Sequence, residues 1–250
     1  MIAKPCCVVA SIVAAPTFCL GSLFVFWRTR FFFRDPPRWP PTDPRAIVAP
    51  ADGLITYIKR IDKGEIPDAV KNGRTIPLTE FTGLGAISNG GYLVGIYMTE
   101  YSVHRNRAPI AGTICFRRHR AAAPFNRSMA RIGANLITRH TPYDEGCDHL
   151  LANERLTIGI RHASGAVVTV TQIADLWVNR IVARVRQGDS VTRAQQYGMI
   201  RFGSQCDAFL PDELVADIAV HPGQYVFAGK TTLATASASV AGDQVDGGAP

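Results

Sequence analysis

The sequence predicts an α+β fold dominated by antiparallel β-sheet, preceded by one apolar helix at the amino terminus. Short runs rich in β-branched and aromatic residues recur along the chain, and turns of Gly, Pro and Asn separate them, a pattern typical of strands in an antiparallel sheet. The helix is predicted because no charged residue occurs from Pro5 to Trp27. With 250 residues, 47% of them hydrophobic, the chain can bury a sizeable core, so disorder is not expected.

Residues 1–34 are predicted to form a membrane segment with a basic flank. As a helix, the charge-free stretch would reach roughly 34 Å, enough to cross a hydrocarbon core of about 30 Å, and Pro16 is expected to kink it. The arginines that follow are Arg28, Arg30, Arg34 and Arg38. The positive-inside rule then predicts that the domain after this segment lies on the cytoplasmic side of the cell (inner) membrane. A secretory signal peptide and a re-entrant hairpin bent at Pro16 are the alternatives.

Residues 35–45 are predicted to form an extended linker, because five prolines occur from Asp35 to Pro44 and proline disfavours a helical conformation in the residue before it. The soluble domain is predicted over residues 46–235. The last stretch, residues 236–250, is small and polar and is expected to be disordered.

Strands are predicted within this domain at Leu54–Ile58, Tyr92–Met98, Thr113–Phe116, Leu156–Ile160, Val167–Ile173 and Tyr225–Phe227. A helix over Gln172–Val185 is an alternative. The segment Val220–Gly229, followed by Leu233, is similar to the hairpins of barrel-sandwich folds such as lipoyl and biotinyl carriers, so barrel-sandwich-like hairpins are part of the predicted fold. No lysine lies in the exposed turn that cofactor attachment would need, which argues against a carrier role.

Charge and motif content narrow the classes of function. The net charge of +7 and the pI near 9.3 favour an anionic partner. The sequence contains no P-loop, GxGxxG, HExxH or GxSxG motif, and its basic residues are not interleaved with aromatics as in a nucleic-acid module. The six cysteines form no CxxC pair and no Cys/His zinc spacing. The sequence therefore predicts no metal and no nucleic-acid partner.

Three short segments combine glycine or proline with ionisable residues: Ala49–Gly53, Tyr101–Pro109 and Gly198–Ser204. Further segments accompany them in a fixed order: Phe32–Arg38, Ile110–Gly112, Asn153–Arg155, Gln172–Ala174, Asp207 and Leu210–Pro211. Taken together, these segments resemble the phosphatidylserine decarboxylase family, of the short, membrane-associated bacterial type. Any one of them could arise by chance, whereas their order along most of the chain is specific.

The resemblance implies that the chain cuts itself between Gly203 and Ser204. Glycine has no side chain to shield its carbonyl, so the Ser204 hydroxyl can attack it and convert the amide into an ester. Elimination at residue 204 then cuts the chain and leaves a dehydroalanine, which water hydrolyses to a pyruvoyl group at the new amino terminus with release of ammonia. The fragments 1–203 and 204–250 are expected to stay together as a heterodimer, and a homo-oligomer is also expected.

The same resemblance assigns Asp52 and His104 to catalysis. His104 would be the base that takes the Ser204 proton, and Asp52 would orient His104, as in a serine protease triad turned on its own backbone. His104 is also the candidate proton donor during turnover. Arg105 and Arg107 are predicted to bind the phosphate or carboxylate of an anionic phospholipid at the membrane, although a solvated basic face fits them equally well.

Turnover, as the family pattern implies it, joins the pyruvoyl carbonyl to the amine of phosphatidylserine as a Schiff base. This linkage withdraws electrons while carbon dioxide leaves, and phosphatidylethanolamine is released. No added cofactor and no metal are needed, because the electron sink is built from the chain itself.

The sequence also departs from the family pattern. Residues 129–151 look longer than the corresponding stretch, Gln205 stands where a basic residue is common, and Asp175 stands where a small one is common. These departures leave open a related amino-phospholipid substrate. Two competing functions are a membrane-anchored β-rich binding module without chemistry and an ordinary serine hydrolase.

Overall fold

A computed structural model describes residues 5–62, 68–71, 74–77, 90–122, 124–145, 152–176, 181–200 and 204–238, and it describes the side chains of all of these except 5–13, 68–71 and 74–77. The chain divides into two compact units, Met1–Pro36 and Pro37–Pro250. Gly203 and the end of the predicted tail, 239–250, lie outside the described residues. The predicted domain boundaries stay predictions.

The first unit is helical. Helix α1 covers Pro5–Phe26, contains Pro16, and continues into a π-helical segment over Trp27–Phe32. Within the residues whose side chains are described, no helix combines the length and the hydropathy that a membrane crossing requires. The predicted membrane segment over residues 1–34 therefore stays a prediction.

The second unit is mostly antiparallel β-sheet, as predicted. Its strands are β1 (Ala46–Val48), β2 (Gly53–Ile61), β3 (Asp68–Lys71), β4 (Arg74–Pro77), β5 (Gly91–Met98), β6 (Arg105–Arg107), β7 (Gly112–Arg120), β8 (Arg155–Arg161), β9 (Val167–Ala174), β10 (Ile181–Ala183), β11 (Ser190–Val191), β12 (Gln196–Ile200), β13 (Ser204–Pro211), β14 (Val215–Ile218), β15 (Tyr225–Val226) and β16 (Thr232–Ala236). Helix α2 covers Ala130–Thr138. Every predicted strand coincides at least in part with an observed one. The helix considered over Gln172–Val185 is wrong, because Gln172 lies in β9 and residues 181–183 form β10.

An eight-stranded sheet, called the large sheet below, has the order β11-β7-β8-β9-β13-β5-β2-β15. Two three-stranded sheets have the orders β1-β16-β14 and β10-β12-β6, and β3 pairs with β4. Near the carboxyl end, β15 pairs with β2, whereas β16 pairs with β1 and β14, so the two strands belong to different sheets. The likeness to barrel-sandwich hairpins stays a prediction.

The central strand β13 is buried on both faces along its whole length. Its inner face, which includes Cys206, Ala208 and Leu210, contributes to the main apolar core. Its outer face contributes Phe209 to a second apolar cluster, which Ile132 of α2 covers. Because successive side chains of a strand point to opposite faces, Ser204 lies on the inner face with Cys206.

Candidate active site

Several strand ends meet at one edge of the large sheet. Met98 ends β5, Ala174 ends β9, Ser204 begins β13, and Gly53 begins β2. Ser204 is paired in register with Met98 on one side and with Ala174 on the other. Asp52 comes directly before β2, two strands away from β13, which corresponds to about 10 Å across a sheet. The fold therefore brings Asp52 and Ser204 to the same edge.

Ser204 is fully buried, with 0% of its surface exposed. Its Oγ donates a hydrogen bond to Sδ of Met98, at 3.2 Å. A thioether sulfur is a weak acceptor, so this contact orients the hydroxyl without holding it strongly. The hydroxyl can therefore change its partner at little energetic cost.

Two buried amides, Asn106 and Gln172, adjoin Ser204 on the inner face. Gln172 is paired in register with Cys206, which makes it a diagonal neighbour of Ser204 on the same face. Nε2 of Gln172 donates to Oδ1 of Asn106 at 2.8 Å, and Nδ2 of Asn106 lies 3.8 Å from Sδ of Met98. Oε1 of Gln172 is buried and accepts no hydrogen bond from the described residues. Asn106 and Ser204 thus share one acceptor, the Met98 sulfur.

Asp52 is buried and is held by two donors. Its Oδ2 accepts a hydrogen bond from Nη2 of Arg38 at 2.6 Å and its Oδ1 accepts one from the Ala228 amide at 2.7 Å, while the Val103 amide is close enough to lower the pKa of the carboxyl group slightly. Burial raises the pKa of Asp52, although the Ala228 amide and Arg38 oppose that rise. Because Val103 directly precedes His104, the Asp52 carboxylate contacts the His104 segment through the backbone.

The His104 ring is buried and oriented by a backbone carbonyl. Its Nδ1 lies 2.9 Å from the carbonyl oxygen of Ser102. A carbonyl oxygen only accepts, so Nδ1 carries the proton in the neutral ring and Nε2 carries the lone pair that a base needs. The His104 carbonyl in turn accepts a hydrogen bond from the Ile200 amide at 3.2 Å, which places His104 beside β12, the strand that precedes Ser204 in the chain.

Arg105 and Arg107 are half-buried, and they alternate with the fully buried Asn106 along β6. Nη1 of Arg105 lies 3.4 Å from Oε1 of Gln196, and Nη1 of Arg107 donates to the Ala194 carbonyl at 3.0 Å. By strand alternation, both guanidinium groups leave β6 on the face opposite to Asn106. Their predicted role in binding substrate stays a prediction.

The inner face beside Ser204 also carries the buried thiol of Cys206. Burial raises the pKa of the Cys206 thiol, which therefore stays protonated. Among the described residues, no three His, Cys, Asp or Glu side chains are grouped so that they could hold a metal ion.

The comparisons with known proteins agree with this geometry. The family model for phosphatidylserine decarboxylase matches residues 25–234. The chain belongs to the phosphatidylserine decarboxylase family. The predicted family is thus confirmed.

Similar curated proteins are named phosphatidylserine decarboxylase proenzyme. The one from Mycolicibacterium gilvum is 36% identical over 203 residues, which cover 81% of this chain and 72% of that protein. The one from Nitratidesulfovibrio vulgaris is 34% identical over 215 residues, covering 86% and 81%. The one from Cereibacter sphaeroides is 31% identical over 215 residues, covering 86% and 77%.

Met98, Asn106 and Gln172 lie near Ser204, yet they are not among the predicted site residues. Strand alternation could have indicated Asn106, because a polar residue between two arginines must point to the other face of its strand. Gln172 is a polar residue within the apolar run Val167–Ile173, which also marks it as unusual for a buried strand. Nothing in the sequence indicates that Met98 accepts the Ser204 hydroxyl.

Three positions that the sequence analysis sets apart from the family pattern are described on the outer side of the large sheet: Met129, Asp175 and Gln205. Oδ1 of Asp175 accepts a hydrogen bond from the Met129 amide at 2.8 Å, directly before α2. Burial raises the pKa of Asp175. Gln205 donates to Oδ1 of Asp207 at 2.7 Å and to the Tyr57 hydroxyl at 2.9 Å. The Gln205 side chain therefore lies on the face opposite to the Ser204 side chain.

Proposed function

We propose that this chain is a self-processing phosphatidylserine decarboxylase. It cuts itself between Gly203 and Ser204, and the group formed from Ser204 removes the carboxylate of phosphatidylserine to leave phosphatidylethanolamine. The observation that carries the proposal is the position of Ser204, which begins a central strand, is 0% exposed and is paired to a strand on each side. The relatives' name, proenzyme, supports processing.

The surroundings of Ser204 fit a pyruvoyl group. A cut before Ser204 leaves the new terminus held in place by β5 and β9. An ordinary amino terminus there would be a buried ammonium group beside Met98 and Ala174, which offer no counter-charge. A neutral keto group avoids this penalty. When formed, the pyruvoyl group supplies an electrophilic carbonyl and an electron sink at the substrate amine.

The remaining roles fall to His104, Asp52 and Ser102. With Nδ1 donating to the Ser102 carbonyl, the His104 ring presents Nε2 as the atom that takes the Ser204 proton. The same atom can later return a proton to the substrate carbon from which carbon dioxide has left. Asp52 supports the segment through the Val103 amide and balances the buried Arg38 charge.

The membrane and the lipid complete the proposal. Arg105 and Arg107 supply positive charge for the phosphate or carboxylate of the phospholipid. Residues 1–34, with their charge-free stretch and arginine flank, hold the enzyme at the cytoplasmic side of the cell (inner) membrane. The fragments 1–203 and 204–250 stay paired through β13, and the heterodimers associate as a homo-oligomer.

The intact mass of the purified protein tests the proposal. We expect a large fragment ending at Gly203 and a small one whose terminus is blocked to sequential degradation and reacts with carbonyl reagents. Ser204→Ala should remain one chain, whereas the control Ser190→Ala, at the exposed first residue of β11, should still be cut. A Ser204→Ala chain that still splits at this position contradicts the mechanism. An uncut wild-type chain with a free hydroxyl points to an ordinary serine hydrolase instead.

A further inference from the structure

Four exposed aromatic side chains lie on segments next to the candidate site and are called the aromatic rim here: Trp39, Tyr101, Tyr225 and Phe227. Their exposed fractions are 75%, 71%, 38% and 43%, in that order. The Tyr225 and Phe227 rings are in contact, with centroids 5.1 Å apart. The guanidinium of Arg38, the residue before Trp39, lies 5.5 Å from the centre of the Phe227 ring.

The aromatic rim borders the residues that hold the candidate site. The Tyr225 hydroxyl lies 3.1 Å from Oγ of Ser102, whose carbonyl orients His104. Tyr101 directly precedes Ser102. On the other side, Phe227 directly precedes Ala228, whose amide donates to Asp52. Each rim residue is therefore a chain neighbour of a group that holds Asp52 or His104, or is hydrogen-bonded to one.

Such a surface requires a partner. Large exposed aromatic side chains gathered around one site are uncommon on a monomer and mark an interaction site. Tyrosine and tryptophan have an apolar body and a polar tip, which suits them to the boundary between lipid and water. Lys230 is exposed beside the rim, where its amide donates to the Phe227 carbonyl, and the chain carries a net charge of +7. The charge is complementary to anionic lipid headgroups.

We propose that the aromatic rim is the surface with which the enzyme docks on the lipid bilayer that holds its substrate. The inference rests on the proposed function. A phospholipid with two acyl chains stays in the bilayer, so its headgroup reaches the buried Ser204 only if the edge of the sheet that carries the site faces the lipid. The rim residues then enter the headgroup region around the bound lipid.

Fluorescence of Trp39 tests the docking without depending on activity. The chain contains three tryptophans, so Trp27→Phe with Trp177→Phe leaves Trp39 alone. On adding vesicles of phosphatidylcholine and phosphatidylglycerol, we expect its emission to shift to the blue and to be quenched when the acyl chains are brominated. The result should be the same in the uncut Ser204→Ala background, which separates a failure of docking from a failure of the proposed function.

A matched control comes from Tyr92, at the opposite end of β5, where the Arg60 guanidinium lies 4.8 Å from the ring centre. In Tyr92→Trp, all three native tryptophans are changed to Phe. This protein keeps the same amino-terminal segment as the Trp39 protein, and its probe also lies beside an arginine, but on a different surface. Its emission should not be quenched. The proposal is overturned if Trp39 is not quenched, if both probes are quenched equally, or if Trp39 is already shielded from iodide without vesicles, which would indicate a protein partner.

Kinetics in mixed micelles provide a second readout. Tyr101→Ser with Phe227→Ser should raise KM, expressed as the mole fraction of phosphatidylserine, by about tenfold while kcat changes by less than about twofold. Tyr92→Ser should change neither value. A fall in kcat with KM unchanged would mean that the rim supports His104 rather than the lipid surface, and would overturn the proposal.

Discussion

The two faces of β13 hold polar groups in opposite ways. On the inner face, the Ser204 hydroxyl donates to the Met98 sulfur at 3.2 Å, a weak and neutral contact. On the outer face, the Asp207 carboxylate accepts hydrogen bonds from the Tyr57 hydroxyl and from Gln205, both at 2.7 Å. Hydrogen bonds to a charged group are about twice as strong as neutral ones. The outer face therefore fixes the strand, while the reacting group on the inner face remains able to change partners.

The outer contacts tie β13 to β2 across the strand between them. Tyr57 and Asp207 are both paired in register with Gly95 of β5. A Cβ at Gly95 would come within 2.6 Å of the Tyr57 ring, so only glycine lets the ring pass over β5. Burial, with Asp207 nearby, raises the pKa of Tyr57 well above its usual range. Tyr57 therefore stays protonated and donates a hydrogen bond to Asp207.

The largest expected effect on stability comes from removing the carboxylate on the outer face of β13. Asp207→Ala leaves the buried Tyr57 hydroxyl and the Gln205 amide without their acceptor, and it should lower the free energy of unfolding by about 3–5 kcal/mol. Tyr57→Phe removes only one donor and should cost about 1–2 kcal/mol. Denaturant unfolding in the uncut Ser204→Ala background measures both. A loss below about 1 kcal/mol for Asp207→Ala would mean that the outer face does not fix the strand.

The strands themselves were predictable to different degrees. Runs such as Tyr92–Met98 and Val167–Ile173 are rich in β-branched or aromatic residues, and they lie in β5 and β9. The sequence of β13 contains no β-branched residue, and because both its faces are buried, it lacks the alternation that marks a strand with one face in water. Helix α2 is not among the predicted elements, because no segment that carries the family resemblance lies within residues 129–151.

The resemblance identifies Ser204, His104 and Asp52, but their partners depend on long-range contacts. The glycine of the Asp52-Gly53 pair is explained only by the fold, since a Cβ at Gly53 would lie 2.1 Å from the Tyr97 carbonyl oxygen. Likewise, the sequence assigns the orientation of His104 to Asp52, whereas the structure shows the Ser102 carbonyl bonded to Nδ1. Backbone carbonyls leave no signal in a residue pattern, so this partner could not be predicted.

A smaller effect on stability is expected from breaking the hydrogen bond between the two buried amides on the inner face. Asn106→Leu or Gln172→Leu leaves one buried amide without its partner and should lower the free energy of unfolding by about 1–3 kcal/mol. The double variant should lose less than the sum of the two, because each single change exposes the same broken hydrogen bond. Denaturant unfolding of the four proteins in the Ser204→Ala background gives this coupling.

The rate of self-cleavage should respond to changes on the inner face and not to matched changes on the outer face. Thr157 and Thr171 form a matched control, a buried hydroxyl pair 3.0 Å apart on the same face as Asp207. With Ser204 present, changing the amide pair should slow cleavage, because Asn106 shares the Met98 sulfur with the Ser204 hydroxyl. Thr157→Val with Thr171→Val should leave the rate unchanged. Equal slowing by both pairs would show that cleavage responds to general destabilisation.

The smallest effect on stability is expected at Asp52, a buried carboxylate like Asp207. Burial raises its pKa above the ordinary value of 3.8 despite the Arg38 charge, so ionisation of Asp52 is less favourable in the folded chain than in the unfolded chain. Its contribution to stability is therefore present below about pH 4 and is lost as the pH rises through the raised value. Asp52→Asn mimics the neutral form and should change the free energy of unfolding by less than about 1 kcal/mol at neutral pH. Relative to wild type, the variant should become more stable as the pH rises from about 4 to 7.

Self-cleavage of Asp52→Asn should nevertheless slow by about tenfold or more, because the buried Arg38 loses its counter-charge beside the His104 segment. Unfolding curves at several pH values and intact mass over time measure the two effects separately. If Asp52→Asn instead destabilises the chain as much as Asp207→Ala, then Asp52 is a structural anchor of the same kind as Asp207. Slow cleavage would then follow from a loosened strand, and the contrast between a rigid outer face and a reactive inner edge would not hold.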